Sequence, residues 1–282
     1  MNKYLRLGKF SISVPVALTG FLGYFMVDAA FDLHALYTVS GIFLLSMASA
    51  ALNQIQERHT DARMKRTSQR PLPSGQISLG GAIGFASACA VAGTVLLLLT
   101  GYWLPAALGL FTLAWYSLVY TPLKRITAFA VLPGALIGAL PPLIGWSAGG
   151  GDPLEMEILA VAFLLFVGQM PHYWLLLLKV GDQFRQAGLP VITSLFDHRQ
   201  IRNLSFMWIA ATGVCVLMLP VTPIMRHRVM SLILILAAIF FLIRMFRLSY
   251  KGNLVKHWKK AFITVNLFYL LIILVLIADR LF

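Results

Sequence analysis

The chain has 282 residues, of which 59% are hydrophobic and 12% charged, and an ordinary soluble domain carries about 25% charged residues. Apolar runs of about 20 residues recur from end to end, each long enough to cross a bilayer as a helix, which excludes a soluble protein and predicts a polytopic all-α membrane protein. A net charge of +13 would point to nucleic acid in a soluble chain; here it reads as the basic bias that orients membrane proteins, with no nucleic-acid partner.

Nine transmembrane spans are predicted, at about 11–27, 35–52, 79–99, 102–120, 128–147, 156–178, 204–222, 229–246 and 261–278. They form one integral-membrane domain, 1–282, with polar motif connections at about 53–78, 121–127 and 179–203. The first apolar stretch opens the bundle directly, so no cleavable leader is expected. Cys89 and Cys215 fall inside apolar runs and read as small core residues.

The second connection, from Asn53 to Gly75, is the longest polar run. If the second span continues through it as a helix, Asn53, Glu57 and Asp61 stand at i, i+4 and i+8, on nearly one face. Two carboxylates at i, i+4 repel by about 0.2–0.5 kcal/mol in an isolated helix. A divalent cation between them removes that cost, and hard oxygen ligands suit Mg²⁺ bound jointly by protein and substrate phosphate. The same pattern also fits a solvated loop whose carboxylates pair with Arg58, Arg63, Lys65, Arg66 and Arg70.

Tyr120-Thr-Pro-Leu-Lys124-Arg125 ends the fourth span, where Pro122 is expected to stop the helix. On their own its two bases read as a positive-inside anchor. In the sixth span, Pro171-His172-Tyr173-Trp174 places a histidine at membrane depth. It is either a functional group facing the bundle interior or a helix–helix hydrogen bond beside a proline kink. The segment after that span sets Asp182 between Lys179 and Arg185 and ends in Gly188 and Pro190, as a capped loop would.

Charge sorts these connections. Twenty of the 23 Lys and Arg residues fall on one side of the predicted topology, leaving Arg226, Arg228 and Arg280 on the other. The N-terminus is therefore expected in the cytoplasm and the C-terminus outside. Among the ten acidic residues, only Glu57, Asp61, Asp182 and Asp197 share the basic side. Scarce carboxylates within a basic surface are what a site for a Mg²⁺-complexed polyphosphate requires.

These motifs give the chain a family likeness. Asn53-xxx-Glu57-xxx-Asp61 resembles the first Asp-rich motif of the UbiA superfamily of intramembrane prenyltransferases. The continuation to Met64, Arg66-Thr67, Arg70-Pro71-Leu72-Pro73 and Gly75 resembles its protoheme IX farnesyltransferase (haem O synthase) branch. So do Tyr120 to Thr127, Pro133-Gly134-Ala135, Gly138 to Trp146, and Pro171-His172 through Lys179, Asp182, Arg185 and Pro190. The resemblance covers about residues 4–200; the last three spans match in hydrophobicity only.

The resemblance implies a nine-helix UbiA-type bundle in a bacterial inner membrane, with a cytoplasmic active site, farnesyl diphosphate and haem B as substrates and Mg²⁺ as cofactor. A haem-handling partner is implied but not identified. Asn53, Glu57, Asp61 and Asp182 would hold the metal. Arg66, Arg70, Lys124, Arg125 and Lys179 would hold the diphosphate, and Tyr120 would sit near the allylic carbon. Asp61, Tyr120 and Lys124 would be the catalytic residues, with His172 a candidate acceptor contact. The chain departs from the pattern at His59 and Gln183, where the branch carries acidic residues, at Gly181, where it carries a base, and at Phe10, where it carries proline. The alternatives are a UbiA-type enzyme with a quinone-precursor or lipid acceptor and, in another class, a polytopic transporter.

Overall fold

The computed structural model describes residues 2–27, 31–192, 195–252, 254 and 257–281, with the side chains of 177–180 and 182 excepted. Among these residues eight helices are long and apolar enough to cross a membrane, and a ninth, Phe10–Phe25, is apolar but shorter. The order is α1 (Lys3–Leu7), α2 (Phe10–Phe25), α3 (Leu33–Ala62), α4 (Leu79–Leu98), α5 (Leu104–Ala114), a π-helical turn (Trp115–Tyr120), α6 (Thr121–Leu123), α7 (Val131–Ala148), α8 (Met156–Gln186), α9 (His198–Met218), α10 (Arg228–Phe246) and α11 (Trp258–Leu281).

Two helices run well past their predicted ends, and both extensions carry motif residues. α3 begins where the Asp32 side chain accepts the Ala35 N–H at 2.9 Å and continues to Ala62. No proline interrupts it, and every residue beyond Gly41 has a side chain compatible with a helix interior. The first third of the expected motif loop is thus helical. α8 likewise runs to Gln186, so Asp182 lies on a helix rather than in a capped loop. It stops at Gly188, whose φ of +79° suits a residue without a Cβ. There Leu189 N–H bonds Phe184 O at 2.9 Å and Gly188 N–H bonds Arg185 O at 3.0 Å, the paired bonds of a Schellman stop.

α3 packs on α2 and α4, α7 on α2, α5 and α8, and α8 on α9 and α11, while α11 returns to α2. The crossing of α2 and α7 is close enough to demand glycine. A methyl group on Gly145 would stand 1.8 Å from the carbonyl oxygen of Gly20, and such small-residue crossings are how helices approach within a bilayer. α7 also packs on α3, whose last turns carry the motif residues.

Candidate active site

The site forms on those last turns. Asn53, Glu57 and Asp61 are 2%, 7% and 1% exposed, so the spacing in sequence becomes one buried row. His59 is exposed and points away from the row. The substitution there therefore removes no carboxylate from it.

Each member of the row is held from another segment. Glu57 accepts a hydrogen bond from Asn53 Nδ2 at 2.8 Å and pairs with Lys124 Nζ at 2.8 Å. Asp61 pairs with Arg70 Nη1 at 2.5 Å. Lys9 Nζ donates to Asn53 Oδ1 at 3.1 Å. The carboxylates do pair with bases, as one reading of the sequence had it, but inside a buried row rather than a solvated loop. Burial, with Arg70 and Lys124 close by, pushes the Lys9 ammonium down to about 7. Burial lowers Lys124 as well, against the pull of Glu57.

Lys124 is delivered by the turn before it. From Trp115 to Tyr120 the helix widens to a π turn, a feature that concentrates at functional sites. Two bonds fasten the turn to its neighbours: Gln56 Nε2 of α3 donates to Ser117 O at 3.0 Å, and Trp115 Nε1 donates to Pro133 O of α7 at 2.9 Å. Tyr116 and Tyr120 lie 5.4 Å apart between ring centroids. Lys124 Nζ sits 5.3 Å from the Tyr120 ring, within cation–π range.

The remaining candidates divide. Arg66 is exposed at the loop surface and lies within electrostatic reach of Asp61 and Glu57. Its backbone N–H donates to Gln183 Oε1 at 3.3 Å, so the amide at this position joins α8 to the motif loop. Arg125 is exposed and its Nη2 donates to Gln56 O at 2.6 Å, which braces α6 against α3. His172 lies 4.8 Å from the Phe262 ring of α11, between ring centroids, and so faces a neighbouring helix. Its neighbour Tyr173 is the residue within electrostatic reach of Glu57 and Tyr120. The side chains of Lys179 and Asp182 lie outside the described residues.

Sequence reasoning missed Lys9. Its φ of +48° is a conformation that a side chain other than glycine seldom adopts, yet in sequence it looked like one more orienting base.

Three oxygen-bearing side chains on one helix face, two of them carboxylates, match how proteins bind Mg²⁺ when phosphate and water complete its shell. Among the described residues no three His, Cys, Asp or Glu side chains gather into a protein-only metal site. The donor set fits an ion shared with a phosphate-bearing ligand.

Residues 13–272 match the profile of the UbiA prenyltransferase family. The chain belongs to this family. The UbiA match extends through the last three helices, where no motif was recognised. Protoheme IX farnesyltransferase of Geobacter sulfurreducens is 40% identical over 211 residues, spanning 73% of this chain and 76% of that one. The protein of the same name from Oleidesulfovibrio alaskensis is 34% identical over 273 residues, spanning 97% and 94%. The fold is also that of solved structures at low identity. Digeranylgeranylglyceryl phosphate synthase aligns with a TM-score of 0.78 at 15% identity over 99% of this chain and 97% of that one. A UbiA homolog from Archaeoglobus fulgidus bound to GPP and Mg²⁺ gives 0.70 at 17% identity over 100% of each chain. The expected UbiA-type, all-α membrane prenyltransferase is what the chain is.

Proposed function

We propose that this UbiA prenyltransferase transfers the farnesyl group of farnesyl diphosphate to a vinyl group of haem B, giving hydroxyfarnesylethyl haem (haem O) and diphosphate. The observation that carries the reading is the buried Asn53–Glu57–Asp61 row, with Lys124 and Arg70 drawn onto it at 2.8 and 2.5 Å beside the Tyr120 ring. The names of the relatives supply the donor and acceptor.

The C1–O bond of the donor breaks and its electron pair leaves with the diphosphate. Arg66, Arg70, Lys124 and Lys179 neutralise the charge growing on the leaving group, with Arg70 and Lys124 set on the row before reaction. Arg125 keeps the α6–α3 junction in place beneath them. Mg²⁺, held by Asn53, Glu57, Asp61 and Asp182, would supply Lewis-acid stabilisation of the same oxygens. The Tyr120 ring presents its negative face to the allylic cation. The vinyl π electrons then form the new C–C bond, and the cation left on the haem side takes the oxygen of a water that gives up a proton. On the acceptor side, His172 at the α8–α11 contact is the candidate contact.

The basic residues of the motif connections support a cytoplasmic site in a bacterial plasma membrane, with the N-terminus inside and the C-terminus outside. Incubating the purified protein with haem B, farnesyl diphosphate and Mg²⁺ tests the reaction by mass spectrometry. The expected product is haem with farnesyl and water added, lost on EDTA treatment. Donor consumption only with a quinone precursor or lipid acceptor would overturn the haem assignment and keep the family chemistry.

A further inference from the structure

We propose that Lys9 is a further diphosphate-binding residue whose ammonium receives an oxygen of the prenyl donor, an inference that rests on the prenyl-transfer reading above. Among the described residues the cluster brings three cationic side chains, Lys9, Arg70 and Lys124, to two carboxylates, Glu57 and Asp61. Glu57 is engaged on both oxygens, by Asn53 and Lys124. Asp61 is engaged by Arg70. Among the described residues the side-chain bond of Lys9 Nζ goes to the neutral amide oxygen of Asn53, at 3.1 Å, with Glu57 and Asp61 acting on it from farther away. A half-buried ammonium that is bonded to no carboxylate among the described residues calls for an anion, and it stands at the row where the donor's diphosphate would lie.

The surrounding architecture fixes where Lys9 points. Gln54 Nε2 donates to Leu7 O at 2.8 Å, pinning the end of α1 to α3. Ser46 Oγ donates to Ser13 Oγ at 3.0 Å, and Ser13 Oγ to Gly8 O at 3.1 Å. Arg6 Nη2 donates to Gln69 O at 2.7 Å, tying the same turn to the motif loop. Between these fastenings Lys9 alone takes the left-handed conformation. A lysine has no intrinsic preference for that backbone, whereas glycine and asparagine tolerate it. A turn with only a structural task would be better served by either of them. The arrangement keeps lysine where its backbone is disfavoured and its ammonium reaches the row.

That contrast supplies the test. The full chain in phospholipid nanodiscs, as wild type, Lys9→Gly, Lys9→Asn and Lys9→Arg, is titrated with farnesyl thiolodiphosphate plus Mg²⁺ and separately with farnesol. The expected result is at least a tenfold loss of thiolodiphosphate affinity in the Gly and Asn variants. Farnesol binding should be unchanged, the melting temperature equal to or above wild type, and affinity largely recovered with Arg. Wild-type affinity for the thiolodiphosphate in Lys9→Gly or Lys9→Asn would overturn the proposal alone. So would an equal loss for both ligands, which marks a deformed cavity. Wild type failing to bind the thiolodiphosphate would overturn the donor reading and this proposal together.

Discussion

Asp61 and Asp279 are each 1% exposed, one on the last turn of α3 and the other near the end of α11, and they are satisfied in opposite ways. Asp279 accepts the backbone N–H of Arg226 at 2.8 Å and of His227 at 2.9 Å, with Arg280 Nη2 on Ile224 O at 3.2 Å beside it. Backbone donors cannot swing away, so this carboxylate locks the α9–α10 connection onto α11. Asp61 is held by the guanidinium of Arg70, on a long, jointed side chain that can turn toward an arriving anion. Burial of a carboxylate is common to both ends. What separates a fastening from a working site is whether its partners can be reassigned.

The contrast breaks most visibly at Asp61. Asp61→Asn should lower kcat/KM for prenyl transfer by about 10²–10³-fold, the scale of losing one preorganised charge-stabilising group, while the melting temperature stays near wild type. A variant that melted early but reacted normally while folded would make Asp61 a second fastening. Asp279→Ala is the mirror case. Two buried N–H groups lose their acceptor, which costs about 3 kcal/mol. Thermal unfolding should move down with turnover per folded molecule unchanged; a kinetic defect at low temperature would refute the assignment. Tyr120→Leu should lower kcat about tenfold, given a desolvated cation–π interaction of about 1–2 kcal/mol, with Tyr120→Phe close to wild type. His59→Asp should have the smallest effect. Restoring the family's carboxylate on an exposed face should leave turnover and metal requirement within about twofold, because the new charge would be largely screened.

The sequence carried the Asn53–Glu57–Asp61 row because helical spacing is a local property, and α3 continued through the motif. Family likeness named Arg70, Lys124 and Arg125 beside that row, and the first two pair with its carboxylates while Arg125 bonds the backbone of Gln56. Other features came from distances that no local pattern encodes. Lys9 meets a partner 44 residues away. Asp279 meets Arg226 across 53 residues. The sequence allowed helix through 53–62 and read 179–186 as a capped loop, and both segments are helical for one reason. Hydropathy marks where a helix leaves the membrane, and helices extend past that plane while their polar faces find partners.

The π turn from Trp115 to Tyr120 has a consequence for how this chain tolerates length changes. It stores one surplus residue, and each residue of an α-helix advances the phase by about 100°. Removing Leu118, which is 73% exposed and packs little, would let the segment close into an unbroken α-helix. The result should be an equally or more regular span by circular dichroism. Tyr120 and Lys124 would be turned out of phase with Glu57, leaving a well-folded protein without turnover. Insertions and deletions here act as changes of phase rather than of stability.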